Sequence, residues 1–513
     1  MVAPFWVRMR EGRSTLGENP VGRRQLLRAA TVAGLVGTAT GLPARSSFAE
    51  SANEETRTFR GRFAQGAPDW AYVPVDVPSG VREIAVRYTY SKPPTPPGVR
   101  GNALDIGVFD AGGHDLGDGE GFRGWSGGAR DHFTISASDA TPGYLPGPIR
   151  PGCWQVILGP YTIAPQGMRW RVEVTLRYGE PGPAFQPNPA PERARGRGHA
   201  WYRGDMHLHT VHSDGARTPA QLAAGARAAG LDFVVSTEHN TSSASAVWGA
   251  HAGEDLLIID GEEITTRAGH WIAAGLPAGT WIDWRYLPDD RETLARFVDQ
   301  VHGYGGIAVA AHPYCPYPGC AWRFGYGEVD AVEVWNGPWT LDDEAAVTLW
   351  DGMLREGRWL PAVANSDAHD PGQVIGLPQT AVRAAELSTQ AVLAAAAQGR
   401  SWFAESAEVS LEMTASGGAW QAGVGQRLDC GPGTPVTVRL LVDGAAGCTV
   451  RLLTEDGLVH TVGVPASGTV TVSWRTRARD SSWVRAEVRR PQPTETTEDT
   501  MVALTNPIFL GRR

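Results

Sequence analysis

Hydrophobic and polar positions along the chain fall into three regimes. From about Glu50 to Tyr178, short β-patterned runs recur, among them Ile84–Tyr90, Ala103–Phe109, Trp154–Leu158 and Trp170–Arg177. Glycine- and proline-rich turns separate them and no helical period appears, which predicts an antiparallel β-sandwich over 50–180. Residues 181–199 are proline-rich and predict a linker. From 200 to 405, strand and helix patterns alternate. Thr218 and Pro219 supply a capping residue and a proline at the first helical position, and Gly230 closes that helix. Asp290–Tyr304 and Leu341–Glu356 read as further helices. Asp232–Val235, Leu256–Asp260, Gly306–Ala311, Asp330–Trp335 and Leu360–Ala364 read as strands. Beyond Ala407 the β pattern returns in Val436–Val442, Thr449–Leu453, Thr469–Trp474 and Ser482–Val488, predicting a C-terminal β-sandwich over 406–513. Pro491–Thr500 reads as a polar loop.

In the middle regime a polar cluster ends nearly every predicted strand. His207 and His209 are two apart, so on a strand both imidazoles face one side. Asp214 follows in the next loop. Glu238-His239, Glu262-Glu263, His270, His312-Pro313 and Asp367-Ala368-His369 come next, each at the edge of an apolar run. Nitrogen and oxygen donors of this kind suit hard and borderline divalent ions. Any one of these histidines alone reads as an ordinary core or surface residue; the set reads as a centre for more than one ion. Carboxyl ends of strands are also where enzymes of alternating β/α units place their active sites.

Composition narrows the picture. At 513 residues with 42% apolar content the chain is a multidomain globular protein. Gly22-Arg23-Arg24-Gln25-Leu26-Leu27-Arg28, an apolar stretch from Ala29 to Leu42 and the small-residue site Ser47-Phe48-Ala49 form a secretory signal over 1–49. Its paired arginines resemble the twin-arginine type, which implies export to an extracellular, periplasmic or cell-wall location without a stable membrane span. Removing it takes away seven Arg and two Glu, so the chain that remains is more acidic than the full-length net charge of −9. That excludes bulk capture of DNA, RNA or anionic membrane, but not a small anionic substrate held at metal ions. Five cysteines are no disulfide framework, although Cys315 with Cys320, or Cys430 with Cys448, are in reach of pairing.

Taken together, the motifs resemble the PHP (polymerase and histidinol phosphatase) superfamily, specifically its CehA/McbA-type metallohydrolases. The stretches that carry the resemblance are Asp205-Met206-His207-Leu208-His209-Thr210, Ser213-Asp214-Gly215, Ser236-Thr237-Glu238-His239-Asn240, Gly261-Glu262-Glu263-Ile264, Gly269-His270, His312-Pro313, Val332-Glu333-Val334-Trp335-Asn336 and Ser366-Asp367-Ala368-His369, with a weaker echo in Thr505-Asn506-Pro507. The resemblance implies a distorted (β/α)7 barrel over 200–405, making the whole a multidomain α/β protein with a flanking β-sandwich on each side. It implies nine metal ligands, His207, His209, Asp214, His239, Glu263, His270, His312, Asp367 and His369, for two or three Zn, Mn or Fe ions. By analogy His207, His209 and Asp367 hold one ion, His270 and His312 a second with Glu263 bridging, and Asp214, His239 and His369 a third. His312, His369 and Asp214 are the catalytic candidates, His312 or His369 as the proton donor to the leaving group. The chain departs from the family at Glu238, where Asp is usual, which puts the orientation of His239 in question. Spacing to Ile264 and His270 favours Glu263 over Glu262 as the ligand, and strand alternation then turns Glu262 away.

The activity so implied is hydrolysis of a small ester, phosphomonoester or phosphodiester, by a metal-activated water. Nucleotides and nucleic-acid ends are among the candidate substrates. The runner-up substrate is a carbamate or carboxylic ester. Arg267, Arg285 and Arg323 lie in loops that can reach the mouth and hold a phosphate. Ser213 and Ser366, beside the ligands, read as capping residues. A reading of another class is a secreted carbohydrate- or cell-wall-binding protein, with Trp70, Trp125 and Trp154 as stacking platforms.

Overall fold

In the computed structural model the chain is described over residues 53–492 and 499–512, all within the compact unit Glu50–Arg513. Residues 1–49, which the sequence reading takes as a signal, and most of the loop after Pro491 lie outside the described residues.

Period-2 alternation builds the N-terminal part. One four-stranded antiparallel sheet runs Glu54–Phe63, Met168–Tyr178, Val81–Tyr90, His132–Ser136. The other runs Ala71–Val77, Gly152–Thr162, Ala103–Phe109, Phe122–Gly127. Their inward residues, among them Val75, Ile84, Leu104, Ile135, Trp154 and Val174, form one core. Trp154 is fully buried, Trp125 is buried, and half-buried Trp70 packs on the neighbouring core, so none is a stacking platform. Phe109, Phe122 and Trp125 pack against Trp281 and Trp284 of the middle region, sealing the second sheet onto it.

The middle region is a mixed sheet whose first seven strands lie in chain order: Ala200–Asp205, Phe233–Ser236, Leu257–Thr266, Gly269–Ala274, Ile307–Ala310, Ala331–Asn336 and Ala362–Asn365. The first three run parallel, the fourth is antiparallel to both neighbours, and the last three are parallel again. Extensions of the first and seventh strands meet in a parallel bridge between Leu208 and Ala368. The expected seven β/α units are not what is seen. Among the described residues α-helices cross only after the first, fourth and sixth strands, as α1 (Pro219–Ala228), α2 (Arg291–Gly303) and α3 (Leu341–Arg355). The third and fourth strands join in a tight hairpin instead. Gly269 permits it: its φ is +122°, and a Cβ there would stand 2.6 Å from Trp322 Cα. A fourth helix, α4 (Thr389–Ala397), follows the added strand Gln379–Ala384.

The C-terminal strands are continuous with this sheet. Ser401–Ala404 pairs with Thr500–Thr505, which pairs with Trp483–Arg490, and Thr449–Thr454 and Gly457–Gly463 complete the row. A second sheet, built on Ser410–Gly417 and Pro435–Asp443, covers it, with Val438, Leu440, Val450 and Val488 between them. Buried Arg485 and Arg489 clamp Glu487 and reach Asp351 and Glu344 of α3. Asn506 donates to Ala362 O and accepts from Ala362 N, tying the Thr505-Asn506-Pro507 motif to the seventh strand.

Candidate metal centre

All nine sequence-predicted ligands gather at one end of the mixed sheet. His207, His209, His239, His312, Asp367 and His369 follow the carboxyl ends of parallel strands. His270 begins the fourth strand, which runs the other way, so its start lies at that same end. Glu263 faces the centre. Its Oε2 is 2.8 Å from His239 Nδ1, 3.3 Å from His207 Nε2 and 3.4 Å from His209 Nε2. Its Oε1 is 2.9 Å from His270 Nδ1 and 3.1 Å from His312 Nε2. Asp367 Oδ1 lies 2.9 Å from His209 Nε2 and 3.3 Å from His207 Nε2, and Asp214 Oδ1 lies 3.2 Å from His369 Nε2.

Donor atoms fall into groups whose members lie within 4.8 Å of one another: His207, His209 and Asp367; His209, Asp214, His239 and His369; His239, Glu263 and His270. His270 and His312 share a group with Cys320, but that sulfur is bonded to Cys315 and offers no thiolate. Of the two cysteine pairs read from the sequence, Cys315–Cys320 is formed and Cys430 and Cys448 are free.

The donor set fits divalent ions. His207 Nε2, His209 Nε2, His270 Nε2, Glu263 Oε2 and Asp367 Oδ1 are buried without a hydrogen-bond partner. Each such atom left unsatisfied costs about 1–3 kcal/mol, which a shared cation relieves. Burial works against charge on every imidazole, yet His239 is raised to about 10 by Glu263 and Asp214, and His369 to about 9 by Asp214 and Asp367. Burial and the neighbouring His369 and His239 push His209 down to about 3. Burial also opposes ionisation of Asp214, Glu263 and Asp367, but the surrounding histidines hold all three below the usual carboxylate range. The carboxylates call for positive charge at the centre, and a divalent ion supplies it without buried protons.

The backbone is bent to present these groups. Asn240, His312 and Asp367 are the non-glycine residues with positive φ among the described residues, at 54°, 25° and 48°. All three stand where a strand ends at the cluster, a conformation costing of order 1–3 kcal/mol each.

A surrounding shell fixes the rings, and much of it was not read from the sequence. Glu333, fully buried, lies 3.2 Å from His207 Nδ1 and also accepts from His312 N, Asn336 Nδ2 and Asn365 Nδ2. This aims His207 Nε2 at the centre. A lone carboxylate inside the apolar run Val332–Trp335 was the available signal. Glu238 does not touch His239. It accepts from Thr210 N, Thr210 Oγ1 and Ser213 Oγ, and Ser213 Oγ stands 3.4 Å from His209 Nδ1. His239 is instead held by Thr265 Oγ1 at 2.6 Å. Ser213 is therefore more than a backbone cap, while Ser366 Oγ is buried without a partner. Glu262, adjacent to Glu263, turns away and accepts from Ile282 N.

The three candidate arginines divide. Arg285 is buried in a clamp with Asp283, Tyr72 and the carbonyls of His114 and Asp115, so it joins the N-terminal sandwich to the middle region and is not free for phosphate. Arg323 is exposed and lines neither cavity at the cluster. Arg267 lines one of them.

No protein-family model matches the chain, and no curated protein does. Solved structures are similar to parts of it. One is a two-domain protein from Bacteroides vulgatus containing a predicted PHP-like metal-dependent phosphoesterase, 18% identical over 64% of this chain and 100% of that one, with a TM-score of 0.36. Another is an amidohydrolase from Chromobacterium violaceum with sulfate bound and no metal, 20% identical over 34% of this chain and 89% of that one, with a TM-score of 0.26. A candidate metal-dependent phosphoesterase from Bifidobacterium adolescentis is 21% identical over 36% of this chain and 91% of that one, again with a TM-score of 0.26.

Proposed function

We propose that the chain is a metal-dependent hydrolase of PHP type, of the CehA/McbA group, that cleaves a phosphoester. The observation that carries this is the convergence of six histidines with Asp214, Glu263 and Asp367 in one cluster, where several inward donor atoms lack a hydrogen-bond partner. His207, His209 and Asp367 would hold one ion, His270 and His312 a second with Glu263 between them, and Asp214, His239 and His369 a third. Bound divalent ions acidify a water and neutralise charge on the ester oxygens.

The chain's own side chains do the positioning. Glu333 keeps His207 Nε2 inward, and Ser213 and Glu238 do the same for His209. Among the catalytic candidates, Asp214 pairs with His369 Nε2, and His369 and His312 line the cavity, where whichever of the two does not ligate an ion would give a proton to the leaving oxygen. A second reading, hydrolysis of a carbamate or carboxylic ester, is favoured by the apolar wall of Pro313, Tyr314, Pro316 and Tyr317 beside the cluster, which suits a neutral organic group. Export through the twin-arginine pathway is part of the proposal and rests on residues 1–49 alone.

The test is metal content together with turnover. Purified protein should carry two to three Zn, Mn or Fe ions per chain, and a chelator should abolish hydrolysis of phosphate esters, with activity returning on metal addition. A preparation fully active without metal would end the proposal.

A further inference from the structure

Two cavities, not one, flank the cluster. The first, about 500 Å³, is walled by the disulfide-stapled loop from His312 to Cys320 and by the start of α3. The second, about 490 Å³, is walled by the N-terminal sandwich, through Asp105, Trp125 and Ala129, and by Arg267. They share Asp214, His239, His270 and Tyr161. Tyr161 comes from the N-terminal sandwich and donates its hydroxyl to Pro318 O, so one side chain divides the two spaces. A bond cleaved at the cluster therefore has room for a substituent on either side.

Arg267 marks the second space as built for a ligand. Its guanidinium lies 4.2 Å from the Tyr161 ring centroid and 3.6 Å from Asp105 Oδ2, and neither contact is a hydrogen bond. Nη1 and Nη2 are buried with no acceptor. A desolvated cationic donor without an acceptor is costly and calls for a partner. Gly159 leaves the space for it: a Cβ there would come within 3.0 Å of both Arg267 Nη2 and Trp125 Cη2. Clamping the two domains together would explain an arginine that donates to acceptors on both sides, as at Arg285, but not one whose charge has Asp105 nearby while both Nη groups meet no acceptor at hydrogen-bond distance.

We infer that the substrate is an ester with an organic group on each side of the scissile bond, a diester rather than a monoester, and that Arg267 receives an acceptor oxygen of one group in a pocket completed by the N-terminal sandwich. This rests on the hydrolase reading of the cluster. In the reaction a water oxygen bonds to the central atom, the bond to the leaving oxygen breaks with its electron pair, and a proton from water ends on that oxygen. Nothing is oxidised or reduced.

The experiment compares the metal-replete protein on bis(p-nitrophenyl) phosphate, p-nitrophenyl phosphate and a p-nitrophenyl carbamate. The diester should exceed the monoester in kcat/KM by about tenfold or more, on the order of one charge-assisted hydrogen bond. Arg267→Gln should raise the diester KM about tenfold with kcat changed less than about twofold, the signature of lost uniform binding. Ala129→Trp, at the exposed rim of the same cavity, should also raise that KM and serves if Arg267→Gln fails to fold. Metal content and melting temperature identify such failure. A monoester preferred over the diester, or a diester KM unmoved in the folded variants, overturns the inference. Turnover of the carbamate alone, with KM dependent on Arg267, keeps the two-sided pocket and sinks the phosphoester reading. No turnover of any ester overturns both.

Discussion

Glu262 and Glu263 are neighbours in sequence and point to opposite faces of one strand: Glu263 enters the histidine cluster, while Glu262 accepts the backbone N–H of Ile282 at 2.9 Å. Burial raises Glu262 well above the ordinary carboxylate range, whereas the histidines around Glu263 overcome its burial and keep it ionised.

Glu263→Gln removes a charge and an oxygen donor from the centre. It should lose at least one metal ion and about 10²-fold or more in rate, the scale of a missing electrostatic element at a reacting centre. Glu262→Gln should keep its metals and most of its activity, since an amide oxygen still accepts from Ile282 N. Metal analysis of both proteins decides, and equal metal loss would show that the two acids act as one.

Glu333 stands behind His207, holding its Nδ1, and also accepts from the backbone of His312. Replacing it with Gln should weaken metal affinity by roughly 10- to 100-fold, as for other carboxylates that orient a ligand histidine. Titration with a competing chelator measures this. The amide still accepts from His312 N, so melting of the metal-free protein should hardly move; unchanged metal affinity would count against the positioning role.

Glu487 lies between Arg485 and Arg489, and although its burial opposes ionisation, the two guanidinium groups bring it down to about 2. Its folded value is thus below its ordinary one. The stability it contributes is present in full above about pH 4.5 and is lost as pH falls toward about 2. Glu487→Gln should cost on the order of 3 kcal/mol at pH 7 by leaving buried guanidinium charge short of a partner. Urea unfolding should show the gap from wild type shrinking at pH 3; a constant gap would remove charge pairing as its cause.

Export is tested by changing Arg23 and Arg24 to Lys. Charge is conserved, so a twin-arginine route should fail while general secretion would not. The exported chain should begin near Glu50, as N-terminal sequencing would show.

What the sequence determined by itself is local. The i, i+2 spacing of His207 and His209, the polar groups at strand ends and the Thr218-Pro219 helix start depend on neighbouring residues, and α1, α2 and α3 lie within a residue or two of their expected bounds. Alternation likewise separates Glu263 from Glu262 without knowledge of the fold. Contacts between distant segments were decided only by the tertiary structure. Glu333 meets His207 across 126 positions, and Glu238 steadies His209 through Ser213 rather than its neighbour His239. A hairpin at Gly269 replaces an expected crossover, and Trp322, far along the chain, packs so close there that only glycine fits. Trp402 pairs with Thr505, merging the C-terminal strands into the central sheet. Tyr161 reaches Pro318 across 157 positions and splits the space at the cluster in two. Periodicity records which face of an element is apolar, but not which other element covers that face; strand pairing and packing settle that, and with it the shape of the site.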